Sequence, residues 1–214
     1  MKAFFSTYGA MLWHATLVHL GYVLIAVDIG FLLGVALGIA LSRMPQKWSA
    51  VLLPILSVFQ SIPGIVFIGV LFLKFGMVPA TVLIALSVYA TFPILKNTYT
   101  GLTQIEPCYI EAAHGCGMSS AQSLWRVELP LALPSIIGGL RMSTVYTVSW
   151  TVLASIIGLG GLGDFIYQGI TSNNNMLIIA GAIPAALMAV LLGVLLDKLQ
   201  KKAVPRGLCK EVRS

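Results

Sequence analysis

Five segments of this chain, at about 17–41, 51–72, 78–95, 135–157 and 177–196, are each apolar over roughly the ~20 residues that a helix needs to cross a bilayer. Such segments leave few folds open. In hydrocarbon every backbone N–H and C=O must be satisfied within the segment or within a closed barrel, and continuous apolarity, rather than alternation, selects the helix. The expectation is an all-α, polytopic membrane protein of five transmembrane helices, with residues 1–214 forming a single transmembrane domain. A composition of 58% hydrophobic and 9% charged residues, with a mean hydropathy of +0.94, excludes the solvated surface of a soluble domain. An odd number of spans places the two termini on opposite sides.

The basic residues orient the bundle, because Lys and Arg flanking spans are retained on the cytoplasmic side. With the C-terminus in the cytoplasm and the N-terminus outside, the inside set is Arg43, Lys47, Lys96, Arg126, Arg141, Lys198, Lys201, Lys202, Arg206, Lys210 and Arg213, eleven residues against Lys2 and Lys74 outside. The net charge of +6 is therefore accounted for without nucleic acid, by this bias and a basic tail. Lys2 is followed by apolar residues mixed with His14 and His19 and by no small-residue cleavage site, so no cleaved signal peptide is read. Cys108, Cys116 and Cys209 have neither CxxC spacing nor an even count and are read as reduced thiols. His14, His19 and His114 lack metal-ligand spacing, and no metal site is expected; the first two fall at the outer interface.

This orientation puts the one long polar connection, about 96–134, in the cytoplasm. Glu106-Pro107 suits a helix start, and Gly115 and Gly117 break that helix. Ser119 followed by Gln122 reads as a capping box that opens a second short helix through Leu124, Trp125 and Val127, stopping before Pro130. Two short helices joined at a glycine make a bent projection, with Leu124 and Trp125 on one face as candidate anchors for a partner's groove. Gly117 is expected at positive φ and at a close backbone approach. An ordinary capped surface loop would read the same way.

The positions inside this projection go further. Glu111-Ala112-Ala113, Gly117, Val127 and Leu129-Pro130 are seven specified residues at fixed spacing, which background composition would produce with a chance on the order of 10⁻⁸ per starting residue. The pattern resembles the coupling-loop signature of bacterial ABC importer permeases, with Val127 standing where that family often has isoleucine. The resemblance covers about residues 20–212. It is closest to the osmoprotectant branch in Gln60-Ser61-Ile62-Pro63, in Pro93-Ile94-Leu95-Lys96-Asn97-Thr98-Tyr99-Thr100-Gly101, and in Val127-Glu128-Leu129-Pro130-Leu131-Ala132-Leu133-Pro134. Gly160-Gly161-Leu162-Gly163-Asp164 and the tail Pro205-Arg206-Gly207-Leu208 complete it.

The resemblance implies a type I importer transmembrane domain, similar to methionine permeases, in a bacterial cytoplasmic membrane. It implies that residues around Glu111 to Pro130 dock into a separate cytoplasmic ATPase, that paired ATPases use ATP and Mg to drive alternating access, and that this chain binds no cofactor. The implied partners are two ATPase subunits, a second permease that is identical or related, and an extracytoplasmic substrate-binding protein. The implied cargo is glycine betaine, carnitine or choline. Another betaine-like compound such as ergothioneine, or an amino acid such as methionine, is the alternative cargo. A passive channel or membrane scaffold is the distant alternative function.

Other features carry two readings each. Asp28 lies mid-span, where an ionised carboxylate costs about 2.5–3.5 kcal/mol, and serves either the translocation pathway or an internal hydrogen bond. Tyr89, Tyr146 and Trp150, with Phe92, offer aromatic faces to a quaternary ammonium group or simply pack. Gln60 and Asn97 should face the protein interior, Gln60 as a further candidate for the translocation pathway, and interhelical hydrogen bonding explains both equally well. Pro54, Pro63, Pro93 and Pro184 fall in or beside spans and are hinges or static bends. Gly158 to Gly163 literally matches GxGxxG, but it follows a membrane helix instead of a strand and lies outside the cell, so it is rejected as a dinucleotide fingerprint. Its glycines suit a tight turn ahead of a short helix at 164–170, and by the resemblance Gly160, Gly161, Gly163 and Asp164 lie near the external gate. No nucleophile–base set exists for an intramembrane enzyme.

Overall fold

The computed structural model describes residues 2–155 and 160–203, and every regular element among them is helical. In chain order these are α1 (Lys2–Ser42), α2 (Gln46–Gln60), α3 (Gly64–Phe75), α4 (Pro79–Thr103), α5 (Pro107–Gly115), α6 (Ser120–Ser123) with a π-helical turn (Leu124–Glu128), α7 (Leu129–Ala154), α8 (Leu162–Thr171) and α9 (Asn175–Ala203).

The first helix begins well before the expected residue 17. No proline occurs ahead of Pro45, so nothing in the sequence interrupts it. Its 41 residues run about 60 Å, roughly twice the ~30 Å hydrocarbon thickness. Along its inner face Gly30, Gly34 and Gly38 recur every four residues and lie against Ala90, Ile94 and Thr98 of α4. A Cβ at those glycines would fall 2.7, 2.8 and 2.6 Å from the facing Cβ atoms. Small residues at this spacing let two membrane helices meet backbone to backbone, where dispersion replaces the hydrophobic drive that lipid cannot supply. The protein carrying Gly34→Leu is expected to lose about 1–3 kcal/mol of stability by overpacking, read as a lowered thermal midpoint in detergent; an unchanged midpoint would contradict this contact.

From α1 the packing proceeds to α4, then α7, then α9, with α8 laid against α9. Two apolar clusters fill the interior: one joins Val23, Val27, Val148, Leu162, Phe165 and Met188 of α1, α7, α8 and α9, and the other joins Ala26, Ile68, Val82, Leu86 and Ala154 of α1, α3, α4 and α7. The third, Leu102, Ala132 and Ile136, sits where the connection between α4 and α7 returns.

Three helices among the described residues are long and apolar enough to cross a membrane: Ser6–Ser42, Pro79–Thr103 and Asn175–Lys202. The expected segment 135–157 belongs to α7 (Leu129–Ala154), with Ser155 capping it; residues 156 and 157 lie outside the described residues. Its hydropathy is lowered by buried hydroxyls. Thr144, Thr147 and Thr151 each donate to the carbonyl four residues back at 2.7–2.8 Å, and Ser143 donates across to the Ala90 carbonyl at 2.8 Å.

The expected segment 51–72 is not one helix. The chain breaks at 61–63 because Pro63 disfavours helical backbone at Ile62, and Pro63 itself is extended (φ −57°, ψ 125°) as the residue capping α3. Pro54, Pro93 and Pro184, by contrast, remain inside α2, α4 and α9. The connection assigned to 96–134 also shrinks. Residues 96–103 continue α4 and 129–134 begin α7, because Lys96 to Thr103 contain no proline, Gly101 sits where α4 closely meets Ala132 and Ser135 of α7, and a helix need not stop at the membrane surface.

Candidate functional site

The bent projection is built as its residues require. Glu106 is extended ahead of Pro107, which sits at the start of α5, where a missing N–H costs nothing. The helix closes with a paired cap: the Gly117 N–H donates to the His114 carbonyl at 2.9 Å and the Met118 N–H to the Ala113 carbonyl at 3.1 Å. Gly117 occupies the left-handed region, φ +79°, as expected. The expected close approach is absent within the described residues, none of which, apart from its chain neighbours, lies within 4 Å of where its Cβ would be. The requirement for glycine is therefore conformational on this side and open on the other.

The capping box is present. Ser119 Oγ accepts from the Gln122 N–H at 3.3 Å, and Gln122 Oε1 accepts from the Ser119 N–H at 2.9 Å. Beyond Ser123 the chain departs from expectation. The second helix does not stop before Pro130; it opens into a π-helical turn, in which the Leu129 N–H reaches the Leu124 carbonyl, and continues directly into α7. The widened turn admits Pro130, whose ring would collide with the carbonyl four residues back in a regular helix. Leu124 and Trp125 consequently do not act together. Leu124 packs inward with Leu129 against the Leu102, Ala132 and Ile136 cluster, whereas Trp125 is 69% exposed. Of the other signature residues, Glu111, Ala112 and Pro130 are exposed, Val127 is half-buried and Ala113 is buried.

One residue of this region escaped the sequence reading. Glu128, inside the π-helical turn, is 3% exposed. Its Oε2 accepts from Arg43 Nη2 at 2.7 Å, and its Oε1 accepts from Ser123 Oγ at 3.1 Å. The signal was a carboxylate within an apolar run in a chain with seven acidic residues; its partner, 85 positions away, left none.

The same end of the bundle holds Ser49, which accepts from Tyr99 Oη at 2.9 Å, and Gln200, which donates to the Pro134 carbonyl at 2.9 Å. Arg141 pairs with Asp197 at 3.0 Å between α7 and α9. The described members of the basic inside set thus share the half of the bundle that carries α5 and α6. Arg206, Lys210 and Arg213, like Cys209 and the Pro205–Leu208 run, lie outside the described residues.

The aromatic candidates separate. Tyr89 and Trp150 stack, with centroids 5.1 Å apart and planes at 20°, and Phe67 meets Tyr89 edge-on at 5.5 Å. Tyr89 Oη donates to the Ile62 carbonyl at 2.8 Å, inside the α2–α3 break. A side chain at Gly64 would run into the Trp150 indole. These rings are occupied with one another and with the break, and they clamp the point where α2 becomes α3. Gln60, half-buried, ends α2 beside it. Tyr146 stands apart, 45% exposed on α7. Phe92 lines an apolar groove with residues of α1 and α2, and Asn97 Nδ2 donates to the Pro93 carbonyl of its own helix at 2.8 Å. Asp28 is exposed on the outer stripe of α1, flanked by exposed Leu24, Ile25, Ile29 and Leu32. An internal hydrogen bond for it is not observed among the described residues.

At the opposite end, Gly160 (φ +79°) and Gly161 (φ +110°) make the turn into α8, which starts at Leu162 rather than 164. Gly158 and Leu159 of the GxGxxG match lie outside the described residues. A Cβ at Gly163 would collide with the Val152 carbonyl of α7. Asp164, half-buried, faces a recess of about 500 Å³ with His14 and Gln168, and burial raises its carboxyl pKa. His14 is exposed as expected for an interface. His19 is not: it is fully buried between α1 and α7, with Nε2 3.2 Å from the Val148 carbonyl, because it points inward from a helix that starts earlier than expected. Among the described residues no cluster suits a metal, and Cys108 and Cys116 are free and exposed.

Comparison with known proteins gives a consistent set. Residues 30–206 match the family described as binding-protein-dependent transport system inner membrane component. The chain is 38% identical over 210 residues to the glycine betaine/carnitine/choline transport system permease protein of Bacillus subtilis (strain 168), covering 97% of this chain and 95% of that one. It is 38% identical over 207 residues to the choline transport system permease protein of the same organism, covering 96% and 94%. Its fold is similar to that of an inward-facing methionine ABC transporter, with a TM-score of 0.83 across 93% of this chain and 99% of that one at 22% identity.

Proposed function

The chain belongs to the binding-protein-dependent transport system inner membrane components, multi-pass permease subunits whose ATP is hydrolysed by a separate ATPase, and from that membership we propose that it carries a quaternary-amine osmoprotectant into the cell: glycine betaine, carnitine or choline. The observation that carries the cargo is the 38% identity, over nearly the whole of both chains, to permeases named for those compounds. The likeness to the methionine transporter concerns the fold and does not move the cargo toward an amino acid.

In this reading two copies of the permease, or this chain and a related one, enclose the pathway. Two ATPases using ATP and Mg sit on the cytoplasmic side, and the substrate-binding protein docks outside near Gly160, Gly161, Gly163 and Asp164. The clustered basic residues support a cytoplasmic C-terminus and an outer N-terminus. The signature residues Glu111, Ala112, Ala113 and Gly117, with exposed Trp125, meet the ATPase, while Leu124, Val127, Leu129 and Pro130 join that contact to α7. Closure of the ATPases displaces the projection and switches the helices between inward- and outward-facing arrangements. The α2–α3 break beside Gln60, Tyr89 and Trp150 supplies a point of bending, since non-helical backbone at membrane depth is tolerated only against protein or water. Asp28 faces the second permease or the pathway, because a carboxylate turned to lipid has no partner.

Reconstitution of the permease with its ATPase and binding protein in vesicles is expected to give ATP-dependent uptake of at least one of labelled glycine betaine, carnitine or choline, competed by the unlabelled compound. Uptake of none of the three would overturn the cargo, and uptake without ATP would overturn the importer.

A further inference from the structure

The projection formed by α5 and α6 is continuous with α4 on one side and with α7 on the other, so its motion reaches those helices through the backbone. Nothing covalent and local connects it to α1, which packs along α4 and carries the turn into α2. Phe31, Val35 and Ile39 of α1 share an apolar cluster with Leu124 and Leu129, and the directional connection beside it is polar. Arg43, in the turn between α1 and α2, donates to Glu128 Oε2 at 2.7 Å, and Ser123, the last residue of α6, donates to Glu128 Oε1 at 3.1 Å. The two carboxylate oxygens thus bind two different bodies, the foot of α1 and the end of α6, and the residue that holds both sits in the π-helical turn between the projection and α7. The Glu128 side chain is 4% exposed and that of Arg43 is 45% exposed, so the carboxylate is fixed in protein while the guanidinium keeps access to water.

We infer that Glu128 is a positioning residue of the transport cycle: through Arg43 and Ser123 it locks α1 to the ATPase-facing projection, so that displacement of α5 and α6 moves α1 in step with α4 and α7. This rests on the proposed role of the projection in receiving ATPase motion. A carboxylate hydrogen-bonded to a guanidinium and a hydroxyl is directional, which transmits displacement in a way that apolar side chains sliding past one another do not. Without the link α1 lags behind, and ATP is consumed in cycles that do not open the pathway.

The test compares Glu128→Gln, Arg43→Met and Arg43→Lys in the complete importer in vesicles, measuring ATPase retained on the purified permease, ATP hydrolysed and osmoprotectant taken up. The lysine variant keeps the ion pair and is expected to stay close to the parent. In Glu128→Gln and Arg43→Met the amount of bound ATPase is expected to hold while ATP consumed per molecule transported rises about fivefold or more, and the double variant is expected to be no worse than either single one. Arg43→Met keeps the test open if Glu128→Gln folds poorly, since Arg43 is half-exposed. An unchanged ratio of ATP to cargo, whether or not complex is lost, would reduce Glu128 to a packing role and overturn the inference. A parent complex that binds ATPase but transports nothing would instead overturn the function proposed above.

Discussion

Permease carrying Gly117→Asp is expected to insert and fold as the parent does, but to lose uptake by an order of magnitude or more while the ATPase continues to turn over. Two properties of the position lead to this. Gly117 is at φ +79° as the residue that closes α5, a conformation that costs a side-chain-bearing residue about 1–3 kcal/mol, though aspartate is among the residues that tolerate it best. No described residue beyond its chain neighbours fills the space around it, so an added carboxylate points away from the described permease, toward whatever docks on the projection. An unpaired charge buried at that contact costs several kcal/mol; even ~2 kcal/mol is roughly thirtyfold in a docking equilibrium. Gly117→Asn separates the causes, since it shares the shape and the backbone tolerance but carries no charge, and it is expected to keep most of the uptake. Normal uptake by Gly117→Asp would remove the projection from the coupling path. Equal loss in both variants would assign the effect to backbone and shape instead of charge.

The second large effect is expected at Gly64→Leu. The backbone of Gly64 lies against the Trp150 indole, which is stacked on Tyr89, and Tyr89 in turn holds the Ile62 carbonyl of the α2–α3 break. A leucine there must push the indole off Tyr89 or move α3 as a body. Overpacking of this kind costs about 1–3 kcal/mol, and because it falls at the one non-helical point between α2 and α3, uptake is expected to fall about tenfold or more. ATPase retained on the purified complex should be unaffected, since Tyr89 lies about 20 Å along α4 from the projection. Gly64→Ala should be milder, and adding Trp150→Leu to Gly64→Ala should recover uptake by vacating the space. Full activity of Gly64→Leu, or no recovery in the double variant, would mean that the ring cluster does not govern the break.

These two positions were not equally legible. Gly117 was readable because its constraint is local. A glycine that ends one helix ahead of a capping box is a short-range pattern, and both the positive φ and the Ser119–Gln122 box follow from chemistry within a few residues. The proline break at 61–63 was half readable. Pro63 marked a kink, but the same residue type stays inside α2, α4 and α9, and only the surroundings decide whether a lost hydrogen bond becomes a bend or a break. Gly30, Gly34 and Gly38 displayed their four-residue spacing openly, yet which helix they receive depends on topology. His19 was misplaced because a helix start with no cap or proline cannot be located by pattern, and a shift of start changes what a residue packs against.

The sequence by itself determined that this chain lives in a membrane as helices, since apolar length and the need to satisfy every backbone group leave no other solution. It also determined where α5 begins and ends and the capping box that opens the next helix and, through seven residues at fixed spacing, the resemblance to importer permeases. Only the tertiary structure decided that Leu124 packs inward while Trp125 stands free, that Tyr89 pairs with Trp150 and not Tyr146, and that Glu128 joins α1 to the projection. Those outcomes rest on contacts between residues tens of positions apart. Such contacts are set by how whole helices approach one another, and no local pattern of residues encodes that approach.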